Sequence, residues 1–251
     1  PLLQGSCQQS LIEFFQIFVG KNVKGMSFED TFKVLTSQPL DELPKQSIIN
    51  LAKCIAGICI KSDSESRENS VKKFSNDIQC GDNPTKHLAL LCLGELGQQL
   101  DISTSSNLKE LILSCFGGEQ EDIKMAAAYA LGHLAVGNMP LYLPIISQAV
   151  NTTTQHPHQY FLFVALKEMI QIHANMNLEF VEYTDNVLPG LIAHCKSEEE
   201  GVRSMVSECI GALLVMHGER IIVSLLNVLQ NPDDKYSRRT ILTSIRHFLS
   251  R

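Results

Sequence analysis

The sequence has no stripe of basic residues, and this absence bears first on function. It carries 27 acidic against 21 basic residues, a net charge of −6. A protein that binds nucleic acid without sequence preference displaces counterions with clustered lysine and arginine. Nothing here supplies that cluster, so nucleic acid is not an expected partner. No uninterrupted apolar run reaches the roughly 18–20 residues needed to span a bilayer, so no membrane partner is expected either. The segment Leu11–Gly20 is apolar but short, and Glu13 and Gln16 interrupt it. No charged region precedes it, so it does not read as a signal peptide.

Catalytic signatures are absent too. There is no nucleophile elbow, no phosphate loop of the Walker type, no G-x-G-x-x-G and no H-E-x-x-H. Gly94-Glu95-Leu96-Gly97 lies within a helical pattern and follows no strand, so it does not cradle phosphate. Catalysis needs a positioned acid, base or nucleophile in a pocket. The expectation is a non-enzyme with no cofactor, no metal and no small-molecule substrate.

Eight cysteines and eight histidines are present, but no two cysteines form a C-x-x-C pair. His156-Pro157-His158 lies in a polar stretch and His194-Cys195 ends a helical one, without a third ligand at zinc-site spacing. Cys54, Cys59, Cys92, Cys115 and Cys209 fall on apolar helical faces, where free cysteine acts as a small hydrophobe. A disulfide framework belongs to small secreted chains. The cysteine usage therefore reads as a reducing compartment, cytosol or nucleus, in which the glycosylation match Asn151-Thr152-Thr153 has no meaning.

What is present is a ladder. Small residues recur at Cys54, Cys92, Ala130, Ala165, Cys209 and Ser244, at intervals of 38, 38, 35, 44 and 35. A bulky aliphatic follows each: Ile55, Leu93, Leu131, Leu166, Ile210 and Ile245. Periods of this size mark stacked helix pairs. Apolar residues at i, i+3, i+4 and i+7 fill the segments between, and no sustained alternation argues for strands. The expected fold is all-α, a HEAT/armadillo-like α-α superhelix (solenoid). It forms one unit of about six helix pairs over residues 1–251, with polar loops at 61–69 and 151–159.

Turns before the second helices are acidic or contain Pro and Asn: Gly81–Pro84, Glu119–Asp122, Glu198–Gly201 and Asn231–Asp234. They supply cap oxygens and first-turn negative charge. A cation follows seven positions before each marker aliphatic, at Lys86, Lys124, Arg203 and Arg238. Such cations are expected to form a ladder of ion pairs between repeats. Glycine often follows the marker (Gly94, Gly132, Gly211), which lets neighbouring helices approach closely. The expected first helices are Phe28–Ser37, Ser70–Gln79, Leu108–Phe116, Leu141–Val150, Phe180–Lys196 and Glu219–Leu229. The interval of 44 suggests a longer first helix around Pro189, and Pro144 falls inside another. The chain opens on Pro1 and ends within a second helix, as an internal piece of a longer protein would.

In helical repeats the second helices usually line the concave side, where extended partners are gripped. Residues near the markers that should face away from the core are the partner-binding candidates: Glu95, Tyr129, His133, Lys167, Glu208, Arg239 and His247. Tyr129 has the strongest intrinsic claim, because tyrosine is enriched at interface hot spots.

The stretch His87–Ser103 (HLALLCLGELGQQLDIS) resembles a repeat of the cullin-associated and neddylation-dissociated proteins. Ala126–Gly132, Val136–Pro140 and Tyr142–Pro144 continue the likeness in order and spacing. So do Tyr160–Leu162 with Leu166–Glu168, and Glu199–Arg203 with Glu208–Gly211. The resemblance is good over about residues 85–230, while the first 80 residues and the two polar stretches depart from it. It implies a piece from the C-terminal half of a long HEAT-repeat protein of cytoplasm and nucleus. Members of that family wrap a cullin–RING ligase scaffold lacking its ubiquitin-like modifier. They compete there with the adaptor and substrate receptor, and so act as ubiquitin-ligase assembly and exchange factors. A TATA-binding-protein interaction is also implied. Other acidic HEAT solenoids remain alternatives: a karyopherin-type transport receptor or a phosphatase-type scaffold.

Overall fold

A computed structural model describes residues 6–21, 27–104, 107–153, 156–176, 180–231 and 234–250. Among these residues every regular element is a helix. The chain separates into two compact units, residues 1–138 and 139–251.

The first unit begins with α1 (Ser6–Gly20). Helix pairs follow: α2 (Phe28–Thr36) with α3 (Lys45–Lys61), α4 (Ser64–Cys80) with α5 (Asn83–Gln99), and α6 (Leu108–Ser114) with α7 (Glu121–Gly137). The second helices stack, α1 on α3, α3 on α5 and α5 on α7. In the second unit α8 (Met139–Thr152) pairs with α9 (His156–Met176). α10 (Val181–His194) then leads into α11 (Glu200–Leu229), and α12 (Lys235–Leu249) closes the described structure. α11 packs against both α9 and α12.

The small-residue ladder forms the core of both stacks. Cys92, Ala130, Ala165, Cys209 and Ser244 are all fully buried, as are Ile55, Leu93, Leu131 and Ile210. Ile245, after the last marker, is only half-buried. The glycine after a marker works through close approach. A β-carbon on Gly94 would lie 3.1 Å from the Ala130 Cα, and one on Gly211 2.9 Å from the His247 Cβ.

Side chains from the turns cap α2, α4, α5 and α12. Ser27, Asp63, Asp82 and Asp234 accept from the backbone N–H of Asp30, Ser66, Thr85 and Ser237. Accepting from Ser66 and Thr85 holds the Asp63 and Asp82 carboxyls below their usual range. α7 and α11 have no such side-chain cap, and the acids Glu121, Asp122 and Glu200 in their first turns face the dipole instead. Pro144 and Pro189 sit inside α8 and α10.

Three expectations are corrected. The stretch 61–69 is not a loop: only Ser62 and Asp63 interrupt the helices. Asp63 caps α4, and the polar residues after it are solvated opening turns that precede the buried Val71, Phe74 and Ile78. Composition alone cannot separate a solvated first turn from a loop. The stretch 151–159 is also mostly helical, with α8 ending at Thr152 and α9 starting at His156; residues 154–155 lie outside the described residues. The 44-residue interval does not reflect a long first helix, because α10 has only 14 residues whereas α9 has 21.

α11 is the one described helix long and apolar enough to cross a membrane, with a mean hydropathy of 1.7 over its best window. Its backbone breaks at His217 (φ −140°, ψ 36°), so it is two helices across a kink. The apolar side of the first carries Val206, Ile210 and Leu213 into the core, and that of the second carries Ile221 and Leu225. Burial in the stack accounts for these residues, whereas Val215, Val223 and Leu226 on the same helix are exposed.

Candidate partner-binding surface

Successive second helices are cross-linked by polar side chains close to the marker residues. Glu95 stands two residues after its marker aliphatic on α5, and Tyr129 two residues before the next marker on α7. Tyr129 donates its hydroxyl to the Glu95 carboxylate. In the second unit Lys167, one residue after its marker on α9, reaches Glu208, two before the next on α11, at 3.7 Å. Both rungs bridge neighbouring second helices.

The first rung is part of the core. Glu95 is 8% and His133 6% exposed, contrary to the expectation that they face outward. The reason is close packing: α5 and α7 approach so nearly at Gly94 that positions two beyond a marker still lie between helices. Tyr129 is half-buried, and its ring lies 3.8 Å from that of His133 one turn on. Burial pushes the Glu95 carboxyl above its usual range, against the pull of the Tyr129 hydrogen bond and the Lys53 charge. Burial, aided by Lys53, drops His133 to about 3. Its Nδ1 is buried without a hydrogen-bond partner. Burying polar groups is costly unless they are hydrogen-bonded, so this cluster fixes helix register more than it adds stability.

Lys167 and Glu208 are half-buried and paired, with Glu168 also 3.3 Å from the lysine. They offer a partner little free charge. Arg239 is exposed on α12, and His247 is half-buried with its Cβ over Gly211. Both line a groove of about 350 Å³ between α11 and α12, with Glu200, Arg203, Ser204, Ser207 and Arg246. Arg203 is fixed in place: its guanidinium donates to the Ser197 and Glu198 carbonyls at 2.6 and 2.7 Å and sits 4.5 Å over the Tyr236 ring. The seven candidates thus form three separate groups: Glu95 also lines a recess of about 380 Å³ with Gln16, Lys53 and Gln99, and Arg239 and His247 border the groove between α11 and α12.

Of the turn cations expected to form an ion-pair ladder, Lys124 bonds Glu121 in its own turn at 2.8 Å, and Arg203 binds carbonyls of the turn before it. These two cations satisfy their own helix starts. Sequence reasoning passed over Lys53, Arg203 and Arg246 as site residues. The acid-free run 235–250 was the signal available for Arg246. Also unforeseen was the recess at the His217 kink, lined by Val181, Leu214, Met216 and Phe248. Among the described residues no group of three His, Cys, Asp or Glu side chains is placed to hold a metal ion.

No known protein-family profile matches the chain. It is similar to the cullin-associated NEDD8-dissociated protein 1 of Arabidopsis thaliana, 33% identical over 256 residues that cover 98% of this chain and 21% of the relative. The protein of that name from Dictyostelium discoideum is 32% identical, covering 98% of this chain and 20% of the relative. An Emericella nidulans protein, the "C-terminal part" of the same, is 28% identical over 72% of this chain and 17% of its own length. Among solved structures a designed armadillo repeat protein covers 87% of this chain and 98% of its own, at 11% identity and a TM-score of 0.38. The chain spans about a fifth of the length of the curated relatives it matches. With the likeness running through nearly every residue, this helical stack belongs to the cullin-associated NEDD8-dissociated protein family.

Proposed function

We propose that this chain is a protein-binding scaffold segment that contributes to gripping a cullin. The observation that carries the reading is its 33% identity, over 98% of its length, to a relative named for cullin association. The stacked helices support it, because such stacks present long surfaces to extended partners. The action is steric. A stack docked on an unmodified cullin–RING scaffold covers surface that an adaptor and substrate receptor also need. Extended interfaces of this kind bury upwards of about 2,000 Å². Exchange follows if each partner weakens the other, and that coupling is reciprocal. The chemistry asked of the chain is recognition alone, in cytosol or nucleus. Arg239, His247 and Tyr129 are the candidate contacts.

The test is retention of purified cullin–RING scaffold on the immobilised chain, with and without the ubiquitin-like modifier. Preferential retention of the unmodified form is expected. Equal retention of both forms, or of neither, counts against the reading.

A further inference from the structure

We infer that the groove between α11 and α12 is a docking site for an acidic protein segment, bound through paired carboxylates by Arg239 and Arg246. The inference rests on the local charge of this chain and names the chemistry of the occupant, whether or not that occupant is a cullin.

α12 carries Lys235, Arg238, Arg239 and Arg246 and not one carboxylate. Arg239, Thr243 and Arg246 stand at i, i+4 and i+7, which puts them on one face of the helix. Across the groove α11 presents Glu200, Arg203, Ser204 and Ser207 at the matching spacing. Three guanidinium groups face one carboxylate, a local excess of two positive charges in a chain whose net charge is −6. Among the described residues neither Arg239 nor Arg246 has an ion-pair partner, although both are exposed. The corresponding face between α9 and α11 differs: Lys167 there is matched by Glu168 and Glu208. The excess therefore belongs to α12, whose Lys235 and Arg238 extend it beyond the groove, and is absent from the α9–α11 face.

The groove is also prepared for a ligand. Arg203 is immobilised by two carbonyls and by Tyr236, so little freedom remains to be lost on binding. Guanidinium groups bind carboxylates through two parallel hydrogen bonds, which gives the site a preference in shape as well as charge. Arg239 and Arg246 are seven residues apart, about 10 Å along a helix axis. A polyproline-II segment rises about 3.1 Å per residue with about three residues per turn, so acids three positions apart share a face and match that spacing. The favoured occupant is an extended segment with two acids separated by two residues. A nucleic-acid strand fits less well, because the chain carries a net charge of −6.

The test uses a short fluorescein-labelled peptide with two glutamates three positions apart in a Gly/Ser background, and its glutamine counterpart. Fluorescence anisotropy of the whole chain should show binding of the glutamate peptide, weakened by added salt, and little binding of the other. The R239Q/R246Q double variant should lose affinity by about tenfold or more, while the exposed Lys72→Gln control keeps it. Circular dichroism and melting should be unchanged, since both arginines are exposed and unpaired. Equal binding of the two peptides, wild-type affinity in R239Q/R246Q, or tighter binding of a single-stranded oligonucleotide would each overturn the inference. Cullin retention by R239Q/R246Q is read separately. If the peptide is lost and the cullin kept, the docking site stands and does not serve the cullin. If the peptide is bound but cullin is not retained by the wild type, only the proposed function fails.

Discussion

Tyr129 on α7 donates its hydroxyl proton to the buried carboxylate of Glu95 on α5, joining two consecutive second helices. The phenol is half-exposed, and the acid it satisfies is not. Tyr129→Phe leaves that carboxylate buried with one donor fewer, at a cost of about 1–3 kcal/mol at neutral pH. Chemical denaturation followed by circular dichroism checks this. If Y129F matches the wild type, the pair is a surface contact and the register argument falls.

The same cluster makes stability depend on pH in two opposed ways. Burial raises the Glu95 carboxyl in the folded state, so the folded chain holds its proton to higher pH than the unfolded chain does. Its contribution is most favourable at acid pH and is lost as pH rises through the raised value. His133 is depressed to about 3, so its contribution is full above its unfolded value near 6.5 and is lost as pH falls toward 3. His133→Phe should flatten the acid limb of the stability curve between pH 6.5 and 3, by up to about 1.4 kcal/mol per pH unit. In Y129F the deficit should shrink in acid, because a protonated Glu95 no longer needs the phenol. Denaturant midpoints for the three proteins across this range decide both points.

The architecture was legible in the sequence because packing imposes it. A residue between two touching helices must be small, and the next must be bulky, so Cys92-Leu93 and Cys209-Ile210 record the stack directly. Loops were less legible. Ser64–Asn69 lacks apolar residues because it is the solvated start of α4, and polarity is the same in both states. The break at His217 was legible, since Gly218-Glu219-Arg220 interrupts the apolar pattern and a new helix was expected from Glu219. The binding candidates divided by a distance that a linear pattern does not contain. Glu95 and His247 each stand two residues after a marker aliphatic, yet the first is enclosed against α7 and the second borders a groove at the last described helix.

Close approach between α5 and α7 makes Gly137 indispensable, whereas Gly218 at the α11 kink is free. A β-carbon on Gly137 would lie 1.9 Å from the Gly97 carbonyl oxygen and 3.1 Å from that of Leu100, both backbone atoms. Backbone cannot rotate away, so Gly137→Ala forces the helices apart and should cost about 3 kcal/mol. A β-carbon on Gly218 would meet nothing within 4 Å. Gly218→Ala should be neutral, or stabilising by about 0.5–1 kcal/mol through helix propensity. Melting temperatures of the two variants against the wild type provide the check, and similar losses in both would contradict the packing account.

The cysteines should divide sharply by reactivity. Cys7 and Cys80 are exposed, whereas Cys54, Cys59, Cys92, Cys195 and Cys209 are buried. Burial pushes the thiols of Cys54 and Cys59 up to about 11 and that of Cys195 to about 12. For Cys92 and Cys209, both wholly enclosed, the direction is the same. The thiolate is the nucleophile, so raised and inaccessible thiols do not react. Titration of the native chain with a thiol-specific disulfide reagent should consume two thiols quickly. Cys115, half-buried and also raised, should follow slowly. The remaining five should react only after denaturation, together with unfolding by circular dichroism. Fast reaction of a marker cysteine in the native chain would mean that the ladder is not core, since Cys92 and Cys209 lie at the contacts on which both stacks are built.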